Sequence, residues 1–183
     1  MGCVLIDLGA EMTSFAFYHH GGLVMHKEIP LGSNFIDRDI AYLMQNPLHA
    51  AKDVKEKYKL GDDELLDEVI NHRLTELFEK MQAALMENSL YFKMPPVYMV
   101  LCGGGSQLDG IVEKAKDFFK IKKVRRGFCG SLEVSNGGFS SEEYASAVAL
   151  AKYYEGHNMN EDAPETGIAS LKSYIKKLMD GIF

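Results

Sequence analysis

Two short stretches carry residue types and spacings that can do chemistry. The first is Asp7-Leu8-Gly9-Ala10-Glu11-Met12-Thr13, set between two apolar segments. An Asp at the end of a buried strand, followed by a tight glycine turn, can hold a metal-bound water. The N–H groups of such a turn and a Thr hydroxyl can then face a phosphate. The same D-x-G-x-x-x-T spacing also suits a plain hairpin with a polar tip. The second stretch is Val100-Leu101-Cys102-Gly103-Gly104-Gly105-Ser106-Gln107-Leu108-Asp109-Gly110. Three glycines between a strand and a helix let backbone approach a flat or anionic ligand at the helix N-terminus. Close strand–helix packing calls for the same glycines. The stretch lacks the Lys-Ser/Thr of a P-loop and the G-x-G-x-x-G dinucleotide spacing, so neither class is expected. His19-His20 and His26 read as solvated histidines, and Cys3, Cys102 and Cys129 are wrongly spaced for zinc. No metal site is expected.

The elements that must position these stretches follow from periodicity. Cys3–Asp7 is a compact apolar run, the pattern of a strand buried on both faces. Phe15–Tyr18 predicts a second strand, Gly21-Gly22 a hairpin turn, and Leu23–Pro30 a third strand. Asn34 is the expected N-cap of a helix reaching Leu43, and Pro47 suits the first turn of another running to Tyr58. Asp62 or Asp63 then caps a long helix reaching Leu90, whose apolar positions (Leu66, Val69, Ile70, Leu77, Phe78, Met81, Leu85) keep helical spacing. Val97–Cys102 predicts a buried strand, Gln107–Phe119 a helix, Lys122–Arg125 a short strand, and Tyr154 closes a last helix capped by Ser140 or Ser141. This order gives an α/β layer fold.

Composition narrows the function. The chain has 183 residues, a length that predicts one domain, or one plus a small annex, and with 46% hydrophobic and 25% charged residues it has the balance of a globular protein. No apolar run approaches the ~20 residues that span a bilayer, and no signal peptide is expected at the N-terminus. The odd cysteine count suits a reducing cytoplasm. Net charge is −6, and the basic runs are short (Lys120–Arg126 and the C-terminus), so no nucleic-acid partner is expected.

Taken together and in order, these stretches resemble the second half of an actin-like ATPase (a ribonuclease H-like fold). The closest likeness is to the bacterial cell-division family FtsA. It rests on Val4–Asp7 with the following turn, Ile29-Pro30-Leu31-Gly32-Ser33-Asn34, Asp39-Ile40-Ala41, Glu68-Val69-Ile70 with Arg73, Leu101–Gly110 and Tyr144–Ala151. The resemblance implies a subdomain 2A made of residues 1–32 and 97–154, with an inserted helical subdomain 2B of 33–94. It implies ATP with Mg as cofactor, bound in a cleft between this half and another. The positions matching the ligand residues are Asp7, Gly9, Thr13, Lys55, Gly103, Gly104, Gly105 and Ser106.

The departures from the family pattern are specific. The second phosphate loop is usually D-I-G-G-G-T-T-D. Here Ala10 and Glu11 replace middle glycines, Met12 the first threonine and Ser14 the final acid. A carboxylate pointed at a triphosphate is repulsive unless a metal intervenes. Where relatives place a Glu and a Lys near the ribose and base, this chain has Lys52 and Lys55. No β-hairpin is expected in 2B between Leu60 and Asp62. The expectation is no ATP turnover by this chain alone.

The C-terminus carries a separate signal. Residues 155–169 are polar and acidic, the composition of a flexible linker. In residues 170–183, Leu171, Tyr174, Ile175, Leu178, Met179, Ile182 and Phe183 form one apolar stripe at helical spacing, with Lys172, Lys176 and Lys177 off it. Such a helix lies in a membrane interface, or docks on its own domain or a neighbouring subunit. At about 1 kcal/mol per apolar side chain the membrane affinity would be modest and reversible. The family resemblance implies the same terminal anchor. It also implies a partner, the acidic C-terminal peptide of the tubulin-like protein FtsZ, received by basic residues of 2B, for which His72 and Arg73 are the candidates.

The expected function is thus an adaptor that tethers FtsZ filaments to the cytoplasmic face of the membrane, with self-association an open expectation. The rivals are half of a divergent actin-like ATPase or kinase completed by another half, and a scaffold like the pilus-assembly protein PilM.

Overall fold

A computed structural model describes residues 1–88, 93, 95–127 and 144–158. The chain divides into two compact units, Met1–Val148 and Ala149–Phe183. The contacts given below lie within the first. Residues 128–143, with the expected caps Ser140 and Ser141, and the stripe residues 171–183 lie outside the described residues.

Three strands open the chain: β1 (Gly2–Leu8), β2 (Thr13–His19) and β3 (Gly22–Ile29). They pair antiparallel, with Leu8 opposite Thr13 and His19 opposite Gly22. The hairpin turn falls on His20-Gly21, one residue before its expected place. Both residues take positive φ (50° and 80°), the handedness a two-residue hairpin needs, and Gly22 is left free to start β3. Strand β4 (Pro96–Cys102) runs parallel to β1, and β5 (Lys123–Arg126) runs parallel to β4. The sheet order is β3-β2-β1-β4-β5.

Between β3 and β4 stand the helices α1 (Asn34–Met44), α2 (Leu48–Lys57) and α3 (Glu64–Met86). Asp63 caps α3, its Oδ1 accepting from the N–H groups of Leu65 (3.0 Å) and Leu66 (3.1 Å). Asn34 is not a cap. The cap position is Ser33, and the exposed N–H groups of Ser33 and Asn34 donate to the carbonyls of Gly9 (2.9 Å) and Ala10 (2.8 Å) in the β1–β2 turn. The side chain of Asn34 is thereby released for another contact.

The helix expected over Gln107–Phe119 divides. Residues Gly104–Gln107 form a 3₁₀ turn, and α4 starts only at Ile111 and ends at Phe119. Gly110, with φ 74°, makes the break between them. Asp109 there accepts from the N–H of Leu60 at 3.1 Å instead of joining the helix. The last helix, α5 (Ala145–Asn158), continues four residues beyond Tyr154, into the stretch predicted as linker. Gly156 costs a helix about 1 kcal/mol, too little to end one.

One core lies on a single face of the sheet. Val4, Ile6 and Leu8 of β1 point into it, with Phe15 and Phe17 of β2. The stripe of α3 joins this core through Ile70, Leu74, Leu77, Phe78, Met81 and Leu85, all buried. The Phe78 ring lies 5.2 Å from that of Phe119 on α4. On the opposite face of β1, Leu5 is 37% exposed and Cys3 and Asp7 are half-buried. Strand β1 is therefore buried on one face and not on both. An antiparallel neighbour (β2) permits a half-solvated sheet, whereas an all-parallel sheet would not.

Candidate functional site

The two glycine turns meet. Gly103 follows β4 with φ 82°, and a Cβ there would lie 2.3 Å from Asp7 Oδ1 and 2.7 Å from the Leu8 carbonyl oxygen. Only glycine allows the strand–turn after β4 to close onto the end of β1 in this way. Gly105 repeats the approach, its would-be Cβ 3.0 Å from Leu8 and 3.2 Å from Ser33. In the β1–β2 turn the Gly9 N–H donates to the Met12 carbonyl at 3.0 Å. Gly32 touches the same turn so closely that a Cβ would stand 2.3 Å from the Ala10 oxygen.

The side chains expected to meet a nucleotide have internal partners. The Thr13 hydroxyl, fully buried, donates to the Leu31 carbonyl at 2.7 Å. The Ser106 hydroxyl, also buried, donates to the Gly103 carbonyl at 2.7 Å and closes the 3₁₀ turn. Asp7 Oδ2 accepts a hydrogen bond from the Ser146 hydroxyl at the start of α5. Lys55 Nζ lies 2.7 Å from Asp37 Oδ1 and donates to the Ser33 carbonyl at 3.1 Å. Glu11 accepts from Asn34 Nδ2 at 2.9 Å and from an Arg38 terminal nitrogen at 3.0 and 3.1 Å. Lys52 pairs with Glu56 on the surface at 3.8 Å.

Asp7, Gly9, Lys55, Gly103, Gly104, Gly105 and Ser106 are thus gathered around two touching turns and the start of α1, while the Thr13 hydroxyl turns inward. A cavity of about 150 Å³ opens beside them, lined among others by Ser33, Lys55, Tyr58, Lys59, Gly105 and Asp109. It is smaller than the ~300–1,000 Å³ usual for a ligand pocket. Tyr58 is held neutral to high pH, first by burial and then by its hydrogen bond to Asp67 Oδ1 at 2.5 Å. The Thr13 and Ser106 hydroxyls and two of the three Lys55 N–H donors are engaged within the protein, and Glu11 adds a carboxylate. Of these three side chains only the third Lys55 N–H is left for a phosphate, and the backbone N–H groups of the turns would have to supply the rest.

Arg73 and His72 sit apart, on α3. His72 is exposed. Arg73 makes two bonds to Asp39 of α1, Nε to Oδ2 at 2.7 Å and a terminal nitrogen to Oδ1 at 2.8 Å, and a third to Glu76 at 2.5 Å. These bonds raise the Arg73 pKa against the opposing effect of burial.

Sequence reasoning missed the partners. Asp37 stands within the apolar face of α1, between Ile36 and Ile40, and a carboxylate at such a position signals a buried counter-ion. Ser146 carried no comparable signal. Among the described residues no group of His, Cys, Asp and Glu could hold a metal ion, and no helix is long and apolar enough to cross a membrane.

A mixed sheet of this order, with helices inserted after the third strand and glycine turns at the ends of β1 and β4, defines the actin-like fold. The structure of MreB5 of Spiroplasma citri bound to AMPPNP matches it with a TM-score of 0.67 at 16% identity, over 87% of this chain and 54% of that one. The family model of cell division protein FtsA matches residues 4–149, and the chain belongs to that family. FtsA of Pseudomonas aeruginosa is 27% identical over 177 aligned positions, covering 84% of this chain and 42% of that protein. FtsA of Borreliella burgdorferi is 25% identical over all of this chain and 50% of its own length. The chain therefore spans about half the length of these relatives.

Proposed function

We propose that this chain is a cell-division adaptor that tethers FtsZ filaments to the inner face of the cytoplasmic membrane. The family match over residues 4–149 carries the reading. Residues 1–32 and 97–154 serve as subdomain 2A, and 33–94, the helices α1–α3, as the inserted subdomain 2B. His72 and Arg73 receive the acidic FtsZ peptide. The stripe Leu171, Tyr174, Ile175, Leu178, Met179, Ile182 and Phe183 enters the membrane interface on the preceding acidic segment. Repetition along a filament turns modest single anchors into firm attachment.

ATP with Mg is the cofactor that the actin-like fold suggests. The Thr13 and Ser106 hydroxyls, both engaged within the protein, support an adaptor role that does not depend on nucleotide contacts from those two groups.

Co-sedimentation with anionic vesicles tests the anchor, comparing the whole chain with one ending at Glu165. The whole chain is expected in the pellet and the shortened one in the supernatant. Equal sedimentation, or none by either, overturns the membrane role and makes the helix a docking element.

A further inference from the structure

Four exposed cations fall within six residues around β5, the outermost strand of the described sheet: Lys120, Lys122, Lys123 and Arg125. The chain as a whole carries −6, so this edge is the local opposite of the molecule's average. Among the described residues none of the four pairs with a carboxylate. Lys123 Nζ donates to the Tyr98 hydroxyl at 3.0 Å and sits 4.7 Å from that ring's centre, and Arg125 donates to the neighbouring Arg126 carbonyl. Arg126 itself turns inward to the carbonyls of Gln107 (3.3 Å) and Leu108 (3.1 Å).

The cations are held on a rigid base. Ile121 and Val124 are buried on either side of Lys122 and Lys123 and pin the strand to the core. Register places Lys123 beside Tyr98, and Tyr98 beside Cys3, whose other neighbour Tyr18 pairs with Leu23. This row therefore runs Lys123, Tyr98, Cys3, Tyr18, Leu23 across one sheet face, with Tyr18 36% and Leu23 59% exposed. Arg125 lies on the same face, beside Val100. A cation beside a tyrosine, with a second tyrosine and an aliphatic side chain farther along the same row, suits a surface resting on anionic headgroups.

We infer that the β5 edge is a second membrane contact, an electrostatic one, taking anionic lipid headgroups through Lys120, Lys122, Lys123 and Arg125. It rests on the tether reading above and adds a second set of cations to Lys172, Lys176 and Lys177 of the terminal stretch. Charge on an outer strand also blunts edge-to-edge pairing, a role that needs no lipid and predicts no lipid dependence.

The test uses the whole chain and its variant with Lys120→Gln, Lys122→Gln, Lys123→Gln and Arg125→Gln. Partition is measured onto phosphatidylcholine vesicles with and without about 40% phosphatidylglycerol, at low and high salt. Wild type is expected to bind the anionic vesicles about tenfold or more tighter than the variant at low salt. The difference should vanish on neutral vesicles and at high salt. Lys122→Arg with Lys123→Arg keeps wild-type partition, which separates charge from misfolding, and circular dichroism checks the fold of both. Equal partition of wild type and the glutamine variant overturns the inference and leaves the terminal helix as the tether. Wild type failing to bind anionic vesicles sinks the tether reading itself. A variant that loses an acidic peptide while keeping its vesicle affinity also overturns the inference, by assigning the edge to a protein partner.

Discussion

Lys55 Nζ of α2 lies 2.7 Å from Asp37 Oδ1 of α1, with the two side chains 13% and 3% exposed. This pair joins the first two inserted helices, and it makes an internal counter-ion of the lysine that the family pattern places near a nucleotide. Removing one member of a buried pair leaves an uncompensated charge, at a cost of about 3 kcal/mol or more. Lys55→Met should lower stability by that amount in urea unfolding, and Lys55→Met with Asp37→Leu should recover most of it. Wild-type stability for the single variant would place the pair in solvent.

The contact of Gly103 with Asp7 predicts a position that tolerates only glycine. Gly103→Ala combines a φ of 82° with a Cβ 2.3 Å from Asp7 Oδ1, and should cost more than about 2 kcal/mol. Gly21→Ala shares a φ of 80° but meets nothing within 4 Å, and should cost only about 1 kcal/mol. Thermal unfolding of the two side by side checks the difference.

Arg73 offers its fork to Asp39, so an incoming carboxylate has to displace that residue. Arg73→Ala should weaken binding of the acidic FtsZ peptide at least about tenfold, near the low end of the range for hydrogen bonds to charged groups. Asp39→Asn should tighten it by freeing the guanidinium. Fluorescence anisotropy with a labelled peptide reads both. Unchanged affinity in both variants removes α3 from the peptide site.

Glu76 has its pKa lowered, first by its contact with Lys80 and then by Arg73. In acid the unfolded chain therefore binds a proton that the folded chain resists. The stabilisation is complete above the ordinary glutamate value and is lost as pH falls through the lowered one. Urea midpoints between pH 6 and 3 should drop for wild type, and Glu76→Gln should flatten part of that slope.

The pair of Glu11 and Arg38 lies on the surface, 57% and 49% exposed. Its contribution should be under about 1 kcal/mol and fall with added salt. Glu11→Gln tests this by unfolding at low and high salt.

The order of elements was legible because each rests on local chemistry. The α3 stripe recurs at helical spacing over Ile70, Leu77, Phe78, Met81 and Leu85, and Asp63 precedes it as a cap. Errors came where a distant group took over a local role. Asn34 reads as a cap from its neighbours, yet the β1–β2 turn, more than twenty residues earlier, supplies the carbonyls and Glu11 that its backbone and side chain meet. Likewise Asp109, which reads as part of a helix, is drawn to the Leu60 N–H.

By itself the sequence determined the strands, the helices and the two glycine turns, because hydrophobic period and backbone freedom are properties of neighbouring residues. Only the tertiary structure decided which polar groups remain available. Thr13 meets Leu31 at a separation of 18 residues and Asp7 meets Ser146 at 139. A hydrogen bond reaches about 3 Å through space and takes no account of distance along the chain.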